Sequence, residues 1–242
     1  MIVNKKGSAC ILLGILLIVI SMGMMAYNLR TAETAGKNIE KASEQLIKAI
    51  PATPTELANV PEGEVVYSDH ILNPNMDMPV HFLEGHNYIG IIEIPQLGVK
   101  LPVQEDWSYP DLKVSPCRYE GSVYLDNMVI CGHSYKTHFR YIRTLKAGEA
   151  VIFTDTDGNR FEYKVRELEI LKADDTERLV NGDWDLTLFT CTPGGVSRAT
   201  LRCDRVSELA EFPETDMSES AAGAFDQENS EFTEAEMSEP EI

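Results

Sequence analysis

Three residues at the ends of apolar segments carry side chains that together could perform thiol chemistry. His133 follows the run NMVICG, Cys191 ends the run DLTLFTC, and Arg198 opens the next apolar run. A cysteine attacks as its thiolate, which a nearby imidazolium or guanidinium favours, and an imidazole can hand a proton to a departing amine. If the fold brings them together, these residue types predict nucleophilic attack on a carbonyl carbon.

The segments that must position these residues are short and rich in β-branched and aromatic residues. Eight of them, separated by Gly, Pro, Asp or Asn, are YIGIIEIP, GVKLPV, SVYL, NMVICGH, AVIFTD, RFEYKVRELEIL, DLTLFTC and RATLRCDRV. This density of strands predicts an all-β barrel or sandwich, in which adjacent strand ends can share one face. Asp157-Gly158, between two of the runs, predicts a tight hairpin.

Two arginines, Arg198 and Arg202, are candidates for the position beside Cys191. Arg198, Thr200 and Arg202 share one face of the last predicted strand because side chains alternate with a period of two. Arg198 is closer to the turn that follows Cys191. We therefore expect Arg198 to serve the site, with Arg202 as the alternative.

The N-terminal segment predicts a membrane anchor. Residues 8–27 carry no charge and are long enough to cross a hydrocarbon core of about 30 Å as a helix. Lys5 and Lys6 precede the segment, which favours a cytoplasmic N-terminus and an exported remainder, a single-pass type II topology. A cleaved signal peptide is disfavoured because its apolar region usually spans only about 7 to 15 residues.

Composition divides the rest of the chain. After a cytoplasmic stub and anchor over residues 1–30, we expect a stalk helix and proline-rich linker over 31–63 and a catalytic domain over 64–212. We expect residues 213–242 to be a disordered acidic tail, because they lack any apolar period.

The charge is concentrated in that tail. The net charge is -18, but twelve acidic residues and no Lys or Arg follow Arg205, which leaves 27 acidic against 21 basic residues before that point. No basic surface excess is therefore available for nucleic acid.

The cysteines and histidines do not form a metal-binding pattern. The five cysteines include no CxxC pair, and Cys131, His133 and His138 lack a second cluster that would complete a four-ligand site. A disulfide framework is not indicated either. We expect neither a metal nor a cofactor.

Three of these segments resemble the motifs of the sortase family. TLFTC at 187–191 is similar to the signature TLxTC, NMVICGH to the family's histidine strand, and RATLR to its arginine strand. The opening IGIIEIPQLGVKLPV is typical of the first two sortase strands, so the resemblance extends over about residues 88–206. It implies an eight-stranded sortase-type β-barrel with short helices, preceded by the transmembrane helix.

The same resemblance implies a cysteine transpeptidase of the peptidase class. Cys191 would attack the threonine carbonyl of an LPXTG-like sorting signal on a secreted protein. His133 would protonate the departing amine and deprotonate the incoming one, and Arg198 would steady the oxyanion or the peptide. The amine would belong to a peptidoglycan precursor or a pilin, outside the membrane of a Gram-positive bacterium.

Two other functions stay open at this point. The same residues could carry out hydrolysis alone, as a membrane-bound cysteine peptidase. Alternatively, the barrel could be an inactive surface module that binds a peptide.

Overall fold

A computed structural model describes residues 5–54 and 67–206. Most of the predicted linker and the whole predicted acidic tail, 213–242, lie outside the described residues. The helices are α1 (Lys5–Ala49), α2 (Asp69–Leu72), α3 (Tyr109–Leu112) and α4 (Thr176–Val180). The strands are β1 (His81–Leu83), β2 (His86–Ile94), β3 (Val99–Gln104), β4 (Cys117–Glu120), β5 (Met128–Cys131), β6 (Ala150–Asp155), β7 (Arg160–Lys172), β8 (Leu186–Cys191) and β9 (Ser197–Arg205).

Eight of the strands close into a barrel. They follow one another in the order β2-β3-β4-β5-β8-β9-β7-β6, and β6 pairs back onto β2. The pairs β3–β4 and β5–β8 are parallel and the others are antiparallel. β1 lies outside this ring as a hairpin partner of β2. The predicted eight-stranded barrel is confirmed.

One predicted strand is wrong in position. The run SVYL forms a 3₁₀ turn over Val123–Leu125, and the barrel strand before it is β4. Gly121 and Asp126 flank the turn with φ of 72° and 50°, left-handed conformations that interrupt a strand. The side chain of Ser122 caps the turn by accepting a hydrogen bond from the Tyr124 N–H at 3.2 Å.

The predicted hairpin between β6 and β7 is confirmed. Gly158 has a φ of 90°, a backbone conformation that is unfavourable for a residue with a side chain. One carboxylate oxygen of Asp155 accepts hydrogen bonds from the backbone N–H groups of Asp157 and Asn159, at 3.0 and 2.9 Å. These bonds fix the turn from inside.

The predicted anchor and stalk form one continuous helix, α1. Among the described residues it is the one helix long and apolar enough to cross a membrane, and its apolar N-terminal part is exposed. Its C-terminal part packs on the barrel, where Ile39, Ala42 and Leu46 are buried at helical spacing. The hydroxyl of Ser43 also donates to the Lys100 carbonyl at 3.1 Å. The end of α1 is thus part of the globular fold.

Candidate active site

The barrel brings the three predicted residues to the ends of three adjacent strands. Cys191 is the direct partner of Arg198 across the β8–β9 ladder. On the other side of β8, Cys131 pairs in parallel with Phe189. The Gly132 N–H continues that pairing by donating to the Phe189 carbonyl at 3.0 Å. His133 is next in the chain, so Cys191 lies between His133 and Arg198.

These side chains lie on the outer face of the barrel. In β8, Leu186 and Leu188 belong to the main interior core, so the alternating residues Phe189 and Cys191 face outwards. Beneath the site is a second apolar cluster, which α3 and α4 flank through Leu112, Leu179 and Val180. Its buried members are Cys117, Val129, Cys131, Leu171, Leu179 and Phe189. The site therefore has an apolar floor and polar groups at its rim.

A close contact explains the glycine that precedes the histidine. A Cβ atom on Gly132 would lie 2.4 Å from the ring of Phe139, so only glycine fits there. The chain then folds back, and the Phe139 N–H donates to the His133 carbonyl at 3.1 Å. Phe139 is fully buried and anchors this loop. The position of the imidazole thus depends on core packing as well as on β5.

His133 is half-buried and stacked on Tyr135. The two rings lie 4.3 Å apart with an interplanar angle of 8°. Burial lowers the pKa of His133, and the positive charge of Lys113, beside α3, lowers that pKa further. Sequence reasoning missed both neighbours. Neither lies on a strand, so the period of two gave no signal for them.

The turn between β8 and β9 holds Arg198 near the cysteine. Gly194 and Gly195 have φ of 84° and 73°, which suits glycine, and the Thr192 N–H donates to the Ser197 carbonyl at 3.0 Å. The guanidinium of Arg198 donates to the carbonyls of Gly195 and Ser197 at 3.1 and 3.3 Å. Its remaining donors are partly exposed and available to a ligand.

Arg202, the alternative arginine, is enclosed in the protein. It is 0% exposed and donates to the Leu179 carbonyl and the Thr187 hydroxyl, both at 2.9 Å, and to the Arg178 carbonyl. Its guanidinium carbon lies 3.8 Å from the ring centroid of Trp184. Burial lowers the pKa of Arg202 to about 10. Arg202 therefore holds α4 against the barrel instead of facing Cys191.

Cys191 differs from the other cysteines of the described barrel in being partly exposed. Cys117, Cys131 and Cys203 are all buried. Burial raises the pKa of the Cys203 thiol, and a hydrogen bond with Cys131 together with burial raises that of Cys117. Burial keeps all three thiols away from reagents in solvent.

His138, which follows His133 by five residues, is buried, and its ring has no polar partner in the described part of the chain. His138 is 1% exposed, and neither ring nitrogen has a hydrogen-bond partner among the described residues. Its ring lies edge-on to Tyr135 at 5.3 Å. Within residues 5–54 and 67–206, no group of three His, Cys, Asp or Glu side chains is arranged to hold a metal ion.

An aromatic surface continues from the cysteine across the outer face. Phe189 meets Tyr119 edge-to-face at 5.3 Å, and Tyr119 meets Trp107 at 5.6 Å. An open pocket beside them is lined by Asp106, Trp107, Arg118, Tyr119, Glu120 and Gly121. Such a row of aromatic rings beside a partly exposed thiol can hold an extended peptide.

Comparison with known proteins finds one family in the barrel. A sequence model of the sortase domain matches residues 92–206, so this part of the chain carries a domain of the sortase family. This is a family of cysteine transpeptidases of the Gram-positive cell wall.

Individual relatives match parts of the chain. Sortase D of Bacillus subtilis (strain 168) is 32% identical over 109 residues, which are 43% of this chain and 54% of that relative. The chain thus spans about half the length of the curated relative that it matches. Sortase C1 from Streptococcus agalactiae is 27% identical and covers 52% of this chain and 71% of its own, with a TM-score of 0.45. A Clostridium perfringens sortase D5 transpeptidase is 21% identical, with coverage of 71% and 97% and a TM-score of 0.47.

Proposed function

We propose that this chain is a membrane-anchored transpeptidase that joins secreted proteins carrying an LPXTG-like sorting signal to an amine. The observation that carries the proposal is the placement of His133, Cys191 and Arg198 side by side at the ends of β5, β8 and β9. This juxtaposition unites a partly exposed thiol, a proton carrier and a fixed cation.

In the first half of the reaction, the Cys191 thiolate attacks the carbonyl carbon of the signal's threonine. The carbonyl oxygen takes up negative charge, and the free donors of Arg198 stabilise this oxyanion or hold the peptide beside it. The bond to the following residue then breaks, and its nitrogen takes a proton from His133. A thioester between Cys191 and the threonine remains.

In the second half, an amine of a peptidoglycan precursor or a pilin attacks the thioester carbonyl. His133, now neutral, accepts the proton that the attacking amine loses. The new amide bond forms as the thiolate of Cys191 leaves. Burial and Lys113 both lower the pKa of His133, which favours the neutral form that this step requires, so the first half draws on the smaller protonated fraction.

The aromatic surface formed by Trp107 and Tyr119, with the buried Phe189 beneath it, is the proposed binding place for the apolar part of the signal. It lies on the same outer face as Cys191, since Phe189 precedes the nucleophile by two residues on β8. A peptide extended along it would present its threonine carbonyl at the strand end.

We place the catalytic domain, residues 64–212, outside the cell, tethered by the N-terminal half of α1 as a type II anchor. The exposed apolar length of α1 and the preceding Lys5 and Lys6 support this orientation.

The test is mass spectrometry of the detergent-solubilised full chain with a panel of sorting-signal peptides and an added amine. Ligated product that disappears in Cys191→Ala, but persists in Cys10→Ser, would support transpeptidation. Cleavage without ligation would indicate a peptidase. If no peptide in the panel forms an acyl-enzyme and thiol-reactive probes do not label Cys191, the chain would be a binding module.

A further inference from the structure

The loop that carries His133 lies against α1, on the N-terminal side of the helical segment that packs on the barrel. We call residues 133–141 the His133 loop. A Cβ atom on Gly36 would lie 3.0 Å from the Thr137 side chain, so the helix and the loop are in close contact there. Burial raises the pKa of Tyr135, and the nearby Tyr27 of α1 raises that pKa further. The loop therefore runs alongside residues 27–36.

This stretch of α1 is where the helix would leave a bilayer. No charged residue occurs from Gly7 to Leu29, and Arg30 is the first cation after that run. The nine helical steps from Tyr27 to Gly36 rise about 14 Å, and the polar headgroup layer extends several ångström beyond the hydrocarbon on each side. Tyr27, an aromatic residue at this boundary, fits the interfacial belt. The His133 loop thus extends from headgroup level near Tyr27 to the water layer just outside the headgroups, within about one Debye length of them.

The loop is basic, in contrast to the rest of this acidic chain. It carries the exposed side chains of Lys136 and Arg140 and contains no Asp or Glu. Arg140 is exposed and donates through Nε to the Ser134 carbonyl at 3.0 Å, a bond that does not use its two terminal nitrogens. With Arg30 on α1, three cations lie near the level of the exit from the membrane. Basic residues near anionic headgroups bind them electrostatically within about one Debye length.

We propose that the His133 loop docks on the anionic phospholipid headgroups of the leaflet from which α1 emerges. The proposal rests on the proposed membrane anchor. Docking would hold the His133 end of the active site at the membrane surface, where substrates that are themselves attached to the membrane can reach Cys191 without leaving the bilayer.

The test compares lysine acetylation of the full chain in nanodiscs of phosphatidylglycerol and of phosphatidylcholine, read by mass spectrometry. Lys136 should be acetylated at least about threefold more slowly in the anionic discs, and the difference should vanish near 1 M salt. Lys146 and Lys164, exposed on other parts of the barrel, serve as references within the same molecule.

Equal acetylation of Lys136 in both discs would overturn the proposal, as would protection that is the same in both and insensitive to salt. In a further arm, soluble polyphosphate is added to the phosphatidylcholine discs. If polyphosphate slowed the acetylation of Lys136 there while phosphatidylglycerol discs did not, the proposal would be overturned in favour of a soluble polyanion as the partner. Release of the chain from every disc would instead refute the anchor, and the Cys191→Ala ligation assay tests the chemistry separately.

Discussion

Cys191 and Arg198 face each other across the last two strands of the barrel, whereas Arg202, on the same face of β9, is enclosed beneath α4. The two arginines share the strand period but differ in surroundings. Arg198 has free donors beside the thiol, and Arg202 uses its donors on the carbonyls of α4. Their substitution should therefore affect different properties of the protein.

Replacing Arg198 by Gln should reduce kcat/KM for peptide ligation by about 10²- to 10³-fold, as loss of an oxyanion donor commonly does. The melting temperature should hardly change, because the two carbonyl contacts of Arg198 lie in an exposed turn. Ligation kinetics and thermal unfolding on the same sample check both parts. A variant that keeps its rate would remove Arg198 from the proposed chemistry.

Replacing Arg202 by Met should lower the free energy of unfolding by about 2–4 kcal/mol, because buried acceptors lose their charged donor. The affected acceptors include the carbonyls of Arg178 and Leu179 and the hydroxyl of Thr187. Urea unfolding measures the loss. Unchanged stability combined with lost activity would show that Arg202 serves the reaction directly.

Alkylation should separate Cys191 from the other thiols of the barrel. A charged thiol reagent should modify Cys191 at least about 100-fold faster than Cys117, Cys131 or Cys203, because those three are buried and the pKa values of Cys117 and Cys203 are raised. Peptide mapping of the native protein provides the rates, and the urea-unfolded chain provides the control in which all the barrel thiols react. Equal native rates would contradict the structure around Cys191.

The charge of Lys113 should be visible in the titration of His133. Removing it in Lys113→Gln should raise the pKa of His133, since Lys113 opposes protonation of the imidazole. The rise should be partial, because burial is the larger cause of the lowered pKa. NMR titration of histidine-labelled protein measures the change, with Lys164→Gln as the matched control at a remote site. An unchanged His133 pKa in Lys113→Gln would place Lys113 too far away to matter.

His138 should make the protein less stable in acid. Burial, aided by His133, lowers the pKa of His138 to about 4 from an ordinary value of 6.5. Between these values the unfolded chain binds a proton that the folded chain does not. The free energy of unfolding is therefore unaffected by His138 above about pH 6.5. It falls as the pH drops towards 4, and the decrease is about 2–3 kcal/mol at pH 4.5.

Urea unfolding of His138→Phe from pH 4.5 to 7.5 checks this expectation. The variant should lack that part of the acid loss, whereas His81→Gln, on the short outer strand β1, should retain it. If His138→Phe followed the pH dependence of the native sequence, another group would have to be responsible.

Local patterns predicted most of the barrel, because each strand is a run of β-branched and aromatic residues bounded by turn formers. The exception, SVYL, has the composition of a strand. Left-handed residues on both sides turn it into a 3₁₀ segment, and Val123 and Tyr124 are buried there. The missing strand, β4, contains Arg and Glu within four residues and gave too weak an apolar signal.

By itself, the sequence determined the strand-rich domain, the apolar N-terminal helix and the three candidate residues, since composition and spacing act over a few neighbours. The tertiary structure decided which side chains meet at the site. Strand pairing separated Arg198 from Arg202, and packing against Phe139 fixed Gly132 and the loop beyond it. Tyr135 and Lys113 reach His133 from irregular segments, whose positions depend on long-range contacts that no local period encodes.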